Sequence, residues 1–163
     1  MINTAHINGP SGGTYSNRLA IDADFAEASL EDMLKLIMRA KDPRGLVIKL
    51  RALKLIGHTD LTFDFQRVMK SALQNDTANN ATNAVKDLSS VSGGFVNSPF
   101  IDANTRAWFI KTDADDGLKF YQRTALEFDQ DTSFTNGNIR FKGYERYTTG
   151  YSDSRGVYGT SGA

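Results

Sequence analysis

Gly9-Pro10-Ser11-Gly12-Gly13-Thr14 has the small residues of a loop that cradles phosphate. It lacks the lysine that reaches the phosphates and follows no apolar strand, so it reads as a turn. Asp113-Ala114-Asp115-Asp116-Gly117 gathers carboxylates as a calcium loop does. Setting Gly117 sixth puts Thr112 first and Arg123 twelfth, where a bidentate Glu is required, and that register fails. His6 and His58 are the only imidazoles, and neither has a ligating or catalytic partner at helical spacing. The 19 acidic residues offer no singled-out carboxylate pair for glycoside chemistry. One constellation remains. Arg140-Phe141-Lys142, Tyr144 and Arg146-Tyr147 interleave bases with aromatics, the pattern that binds single-stranded nucleic acid by stacking and charge. On a strand, Ile139 and Phe141 face one way while Arg140, Lys142, Tyr144 and Arg146 face the other. A β-strand with a basic solvent face therefore explains the same residues. No enzyme chemistry, cofactor or metal site is expected.

The composition agrees with a non-enzymatic, non-secreted protein. At 163 residues the chain suits one domain with a real core. Lys+Arg and Asp+Glu balance at 19 each, so no global field draws it to nucleic acid or an anionic membrane. There are no cysteines, which removes disulfides and thiolate metal sites. No signal pattern opens the chain and no apolar run has the length of a membrane span. A soluble protein made in a cytoplasm is expected. Asn75-Asp76-Thr77 and Asn80-Ala81-Thr82 fit the glycosylation pattern, but without a signal peptide they only mark an exposed loop.

Elements follow from periodicity. Residues 1–19 are polar and rich in Gly, Ser and Asn, and read as a flexible lead-in. Ser29 with Asp32 resembles a capping box opening a helix over Leu30–Ala40, with Leu30, Met33, Leu34, Ile37 and Met38 on one face. Asp42-Pro43-Arg44-Gly45 stops it. Residues 46–57 read as strand whose alternation changes phase near Ala52, as a bulge would cause. Thr59 or Asp60 caps a second helix with the stripe Leu61, Phe65, Val68, Met69 and Ala72. Residues 74–84 are Asn- and Thr-rich and read as an exposed loop without core contacts. Strands are expected over Gly94–Asn97, Arg106–Thr112, Leu118–Gln122 and Asn138–Thr149, with Thr135-Asn136-Gly137-Asn138 as a tight turn. The charge is asymmetric. Residues 113–131 are acidic on balance and 132–163 basic, so a neighbouring copy could pair them. The predicted fold class is α+β.

Eleven of the 17 aromatic residues lie between Trp108 and Tyr158. In this stretch Ala107-Trp108-Phe109-Ile110-Lys111-Thr112-Asp113, Gly117-Leu118-Lys119-Phe120 and Leu126-Glu127-Phe128-Asp129 occur in order. Asn138-Ile139-Arg140-Phe141-Lys142, Glu145-Arg146-Tyr147 and Asp153-Ser154-Arg155-Gly156-Val157-Tyr158-Gly159 follow. Their order and spacing resemble the C-terminal portion of tailed-bacteriophage major capsid proteins, a fold shared with encapsulins. The resemblance is tightest over Trp108–Ala163 and looser from Gly12 to Phe100.

The resemblance implies a structural subunit of the phage head, located in the virion after synthesis in a host cytoplasm. Its partners would be copies of itself, an N-terminal capsid chain or other head proteins, with packaged DNA met only non-specifically and no membrane. It implies residues 20–115 as an axial-like domain and 116–163 as the C-terminal β segment of a peripheral domain. The family's N-terminal arm, extended loop and long spine helix find no counterpart here. Half of a split capsid protein, a prophage remnant and an expressed fragment all fit that shortfall, and closed shells from this chain alone are not expected. Candidate subunit-interface residues are Asp153, Arg155, Gly156, Tyr158, Arg140, Lys142 and Arg146. Asp153 and Arg155, two apart on an extended strand, share a face, so Arg155→Glu is expected to leave the monomer folded and block assembly. The competing function is a β-rich module that uses its basic aromatic face to bind single-stranded nucleic acid or another ligand.

Overall fold

Apolar residues at helical spacing need a surface to cover them, and here one sheet supplies it. The computed structural model describes residues 1–9, 13–74, 81–87, 91–101 and 106–163. Strands β1 (His6–Asn8) and β2 (Gly13–Tyr15) form a small hairpin, followed by helix α1 (Glu27–Met38). Strand β3 (Ala52–Gly57), a 3-10 turn at Thr59–Leu61, helix α2 (Thr62–Lys70) and the single turn α3 (Ala84–Asp87) come next. Strands β4 (Phe95–Asn97), β5 (Trp108–Thr112), β6 (Leu118–Thr132), β7 (Ile139–Tyr151) and β8 (Val157–Thr160) complete an α+β chain.

The central sheet has the order β4-β3-β5-β8, antiparallel except for the β3–β4 pair. Its covered face carries Leu55, Trp108, Ile110 and Tyr158 beneath Leu30, Met33 and Ile37 of α1 and Phe65 of α2. Phe25 packs edge-on against both Phe65 and Trp108, at centroid separations of 4.5 and 5.4 Å. The Trp108 indole donates to Ala23 O at 3.1 Å, which satisfies its one polar atom inside the core.

Several sequence expectations shift by local chemistry. Helix α1 begins at Glu27, because Ser29 stands at its third position and not at its cap. Its hydroxyl accepts from Ala26 N at 2.9 Å and donates to Asp24 O at 2.8 Å. Met38, assigned to the apolar face, is exposed. His58, not Thr59 or Asp60, opens the second helical segment, its Nδ1 accepting from Asp60 N at 3.2 Å. Regular strand starts only at Ala52, and the expected irregularity is a register shift between Ala52 and Lys54. Of the proposed loop 74–84, residues 75–80 lie outside the described residues. Its C-terminal flank is not free of the core. Asn83 is buried, donating to Val68 O at 2.6 Å and Ser71 O at 3.2 Å and accepting from Val85 N at 3.0 Å.

The N-terminal residues, expected as a flexible lead-in, are tied to the C-terminus. Asn17 is fully buried beside β8. Its Nδ2 donates to Val157 O at 2.8 Å, Ser154 O at 2.9 Å and Met1 O at 3.1 Å, and its Oδ1 accepts from Asn3 N at 2.9 Å. Arg18 bridges to Gly159 and, with Thr160 and Ser161, holds Asp22. The Asp22 carboxyl lies well below the usual carboxylate range, chiefly because of the Arg18 hydrogen bond. Asn17→Ala strands buried carbonyls without donors and is expected to cost about 2 kcal/mol, read as a lower urea midpoint at constant slope.

Candidate assembly surface

Strands β5 and β8 are antiparallel neighbours, and residues 118–151 between them leave the sheet as one long ribbon. Residues 118–132 pair with 139–151 and, among the described residues, with no other strand. The turn at its tip closes through Ser133 N to Asn138 O and Gly137 N to Ser133 O, both 2.9 Å. Gly137 sits at φ 67°, where side chains are strained, as the Asn-Gly signal predicts. Strand β6 is three times longer than expected. Its outer half reads Leu-Glu-Phe-Asp-Gln-Asp-Thr, where acids lower β propensity, and only pairing with β7 makes it strand.

The ribbon's root is rigid. Asp153 N donates to Asp116 O at 2.7 Å and Ser152 N to the same carbonyl at 3.1 Å. The backbones of Gly117 and Gly156 touch there. A Cβ on Gly156 would lie 2.5 Å from Gly117 Cα, and one on Gly117 would lie 2.9 Å from Gly156 Cα. Both positions therefore exclude any side chain. Two of the Asp113–Gly117 carboxylates have partners within the chain. Asp113 accepts from Arg51 N at 2.7 Å and Asp116 pairs with Lys119. Among the described residues no three His, Cys, Asp or Glu side chains gather to hold a metal.

The expected interface residues separate into two groups. Arg155 and its neighbours lie inside the chain. The Arg155 side chain is only 8% exposed. Its Nε donates to Lys41 O at 3.0 Å, Nη2 to Asn8 Oδ1 at 2.6 Å, and Nη1 to Asp153 Oδ1 at 3.2 Å. The guanidinium also lies 4.2 Å from the centroid of the Tyr15 ring. Gly156 and Tyr158 are buried as well, and burial pushes the Tyr158 hydroxyl up to about 12. The expectation that Arg155→Glu spares the monomer does not hold in this environment. Arg155 joins the root of the ribbon to the β1–β2 hairpin and to the segment that follows α1. Asp153 is half-buried and takes part in the same cluster.

Arg140, Lys142 and Arg146 lie on the exposed ribbon, whose register assigns the paired residues to two faces. One face carries Leu118, Phe120 and Phe128 from β6 and Ile139, Phe141, Tyr147 and Tyr151 from β7. Phe128 is 80% exposed, Phe141 78% and Ile139 62%, so among the described residues nothing covers these side chains. Phe120 and Tyr147 stack on it at 5.4 Å. The opposite face is charged, as the alternation of β7 foretold. There Asp131 stands opposite Arg140, Asp129 opposite Lys142, and Glu127 opposite Tyr144. Facing acids break up the positive track that a phosphate backbone needs. Sequence reasoning singled out the bases and missed the aromatic face. The signal was the alternation of Ile139, Phe141 and Tyr147 matched by Phe120 and Phe128.

An exposed group of large aromatic side chains on a ribbon that stands out from the body is the kind of surface that marks a protein contact. The family model described as phage capsid protein matches residues 2–160, and the chain belongs to that family. No curated protein matches it. It is thus a structural protein of the bacteriophage virion, a capsid component that assembles with other copies. No helix among the described residues is long and apolar enough to cross a membrane.

Proposed function

We propose that this chain is a shell subunit of a tailed-phage head whose ribbon reaches across a neighbouring copy. The observation that carries the reading is the ribbon's aromatic face, whose exposed apolar side chains form one group near the tip (Phe128, Ile139, Phe141) and one near the base (Leu118, Phe120, Tyr147, Tyr151), with Gln122 and Glu145 between them. A two-stranded ribbon is marginal alone in water, and an exposed patch of large aromatic side chains is the usual mark of a protein contact. Fully burying one Phe side chain contributes about 1.5–3 kcal/mol, so a few such residues suffice to hold an arm in place.

In this reading the sheet and helices of residues 20–115, with β8 returned to them, are the axial-like body. The ribbon is the arm that reaches the neighbouring copy. A further head polypeptide, such as the N-terminal half of a split capsid protein, completes the closed shell. Synthesis is in the host cytoplasm, the inner wall meets DNA without sequence preference, and the protein's role is structural and not catalytic.

The test is the pair Phe128→Ser and Phe141→Ser in one chain, co-expressed with the other head proteins. Both side chains lack core contacts, so thermal melting is expected to stay within about 0.5 kcal/mol of the parent. Sedimentation is expected to show loss of assembled particles. Normal particles from the double variant would reject the arm.

A further inference from the structure

We infer that ribbons of adjacent copies lie side by side and pair edge to edge, the β7 edge of one against the β6 edge of the next. This rests on the reading of the chain as a self-assembling subunit. Three observations converge on it. Both outer edges of the ribbon are bare among the described residues, over 15 residues of β6 and 13 of β7. Long bare edges recruit further strands unless a device blocks them. Register shifts between Gln122 and Glu127 interrupt β6, while its outer part pairs regularly from Glu127 to Thr132, and β7 runs without interruption. The outer half of the ribbon is therefore where both edges are fit to pair.

Charge selects the arrangement. On the polar face, the outer part of β6 presents Glu127, Asp129 and Asp131, and β7 presents Arg140, Lys142 and Arg146. A two-fold pairing of β7 with β7 would set bases against bases, and β6 with β6 would set acids against acids. Like charges directly opposite destabilise a strand pair. Side-by-side ribbons pointing the same way avoid both. Their adjoining strands are antiparallel, and the register within the ribbon, repeated across the boundary, places Asp129 of one copy opposite Lys142 of the next. The same translation keeps the aromatic residues of all copies on one side, merging their apolar faces into a single sheet surface. Where each step also carries a fixed rotation that closes, head-to-tail contacts of this kind form rings, the symmetry a capsomer needs.

The chain has no cysteines, which makes the test direct. Full-length Asp129→Cys and Lys142→Cys chains, given tags of different mass, are mixed, assembled with their co-expressed head proteins and oxidised. Side-by-side pairing predicts a disulfide heterodimer that is absent when either variant is oxidised alone. Homodimers of Lys142→Cys or of Asp129→Cys would establish two-fold pairing and overturn the inference. Assembled particles with no cross-link in any mixture would also overturn it, while leaving the capsid reading intact. Failure of the unsubstituted chains to associate at all, by sedimentation, would reject both.

Discussion

Arg155→Glu is expected to unfold the chain rather than disable its surface. The guanidinium is enclosed, with Asp153, Asn8 Oδ1 and the Lys41 carbonyl accepting its hydrogen bonds and the Tyr15 ring stacked against it. A glutamate there turns a cation among acceptors into an anion among acceptors, beside the Asp153 carboxylate. Breaking a buried pair so that a charge is left uncompensated costs about 3–5 kcal/mol. A domain has only about 5–15 kcal/mol of stability in total, so a substantial unfolded fraction at room temperature is the expected result. Urea denaturation followed by circular dichroism reads this directly. Arg155→Lys keeps the charge but loses the planar fork, and is expected to fall between the parent and the Glu variant. A Glu variant that melts like the parent would mean that Arg155 turns outward in solution.

Excision of residues 118–151 is expected to have the opposite outcome, an intact body that no longer assembles. None of the core residues lies in the ribbon. The two ends to be joined already meet, since Ser152 N and Asp153 N both donate to Asp116 O. Strands β5 and β8 are paired up to Lys111 and Val157, so a two-residue Asn-Gly link from Gly117 to Ser152 closes a short connection. The shortened chain is expected to melt cooperatively near the parent temperature and to be absent from particles formed by co-expressed head proteins. Incorporation at the parent level would remove the ribbon from the assembly mechanism. A shortened chain that fails to fold would show that the ribbon stabilises the body.

The sequence by itself determined the features that local periodicity controls. Most of the stripes of α1 and α2, strands β4, β5 and β7, the start of β6, the turn at Asn136-Gly137 and the two faces of β7 were legible, because each depends on residues a few positions apart. The resemblance in the C-terminal stretch pointed to the same family that residues 2–160 match. Only the tertiary structure decided which polar residues turn inward. Arg155 reads as a surface charge until Asn8, Tyr15 and Lys41 arrive from more than a hundred residues away to satisfy it. Asn17 and Asn83 likewise look like loop residues until the carbonyls they bridge are placed. The length of β6 was hidden for a related reason. Its outer half has weak strand propensity, and its pairing with β7 is a non-local contact that no window of sequence contains. Burial of a polar group and registry of a strand are properties of partners, and the fold alone supplies the partners.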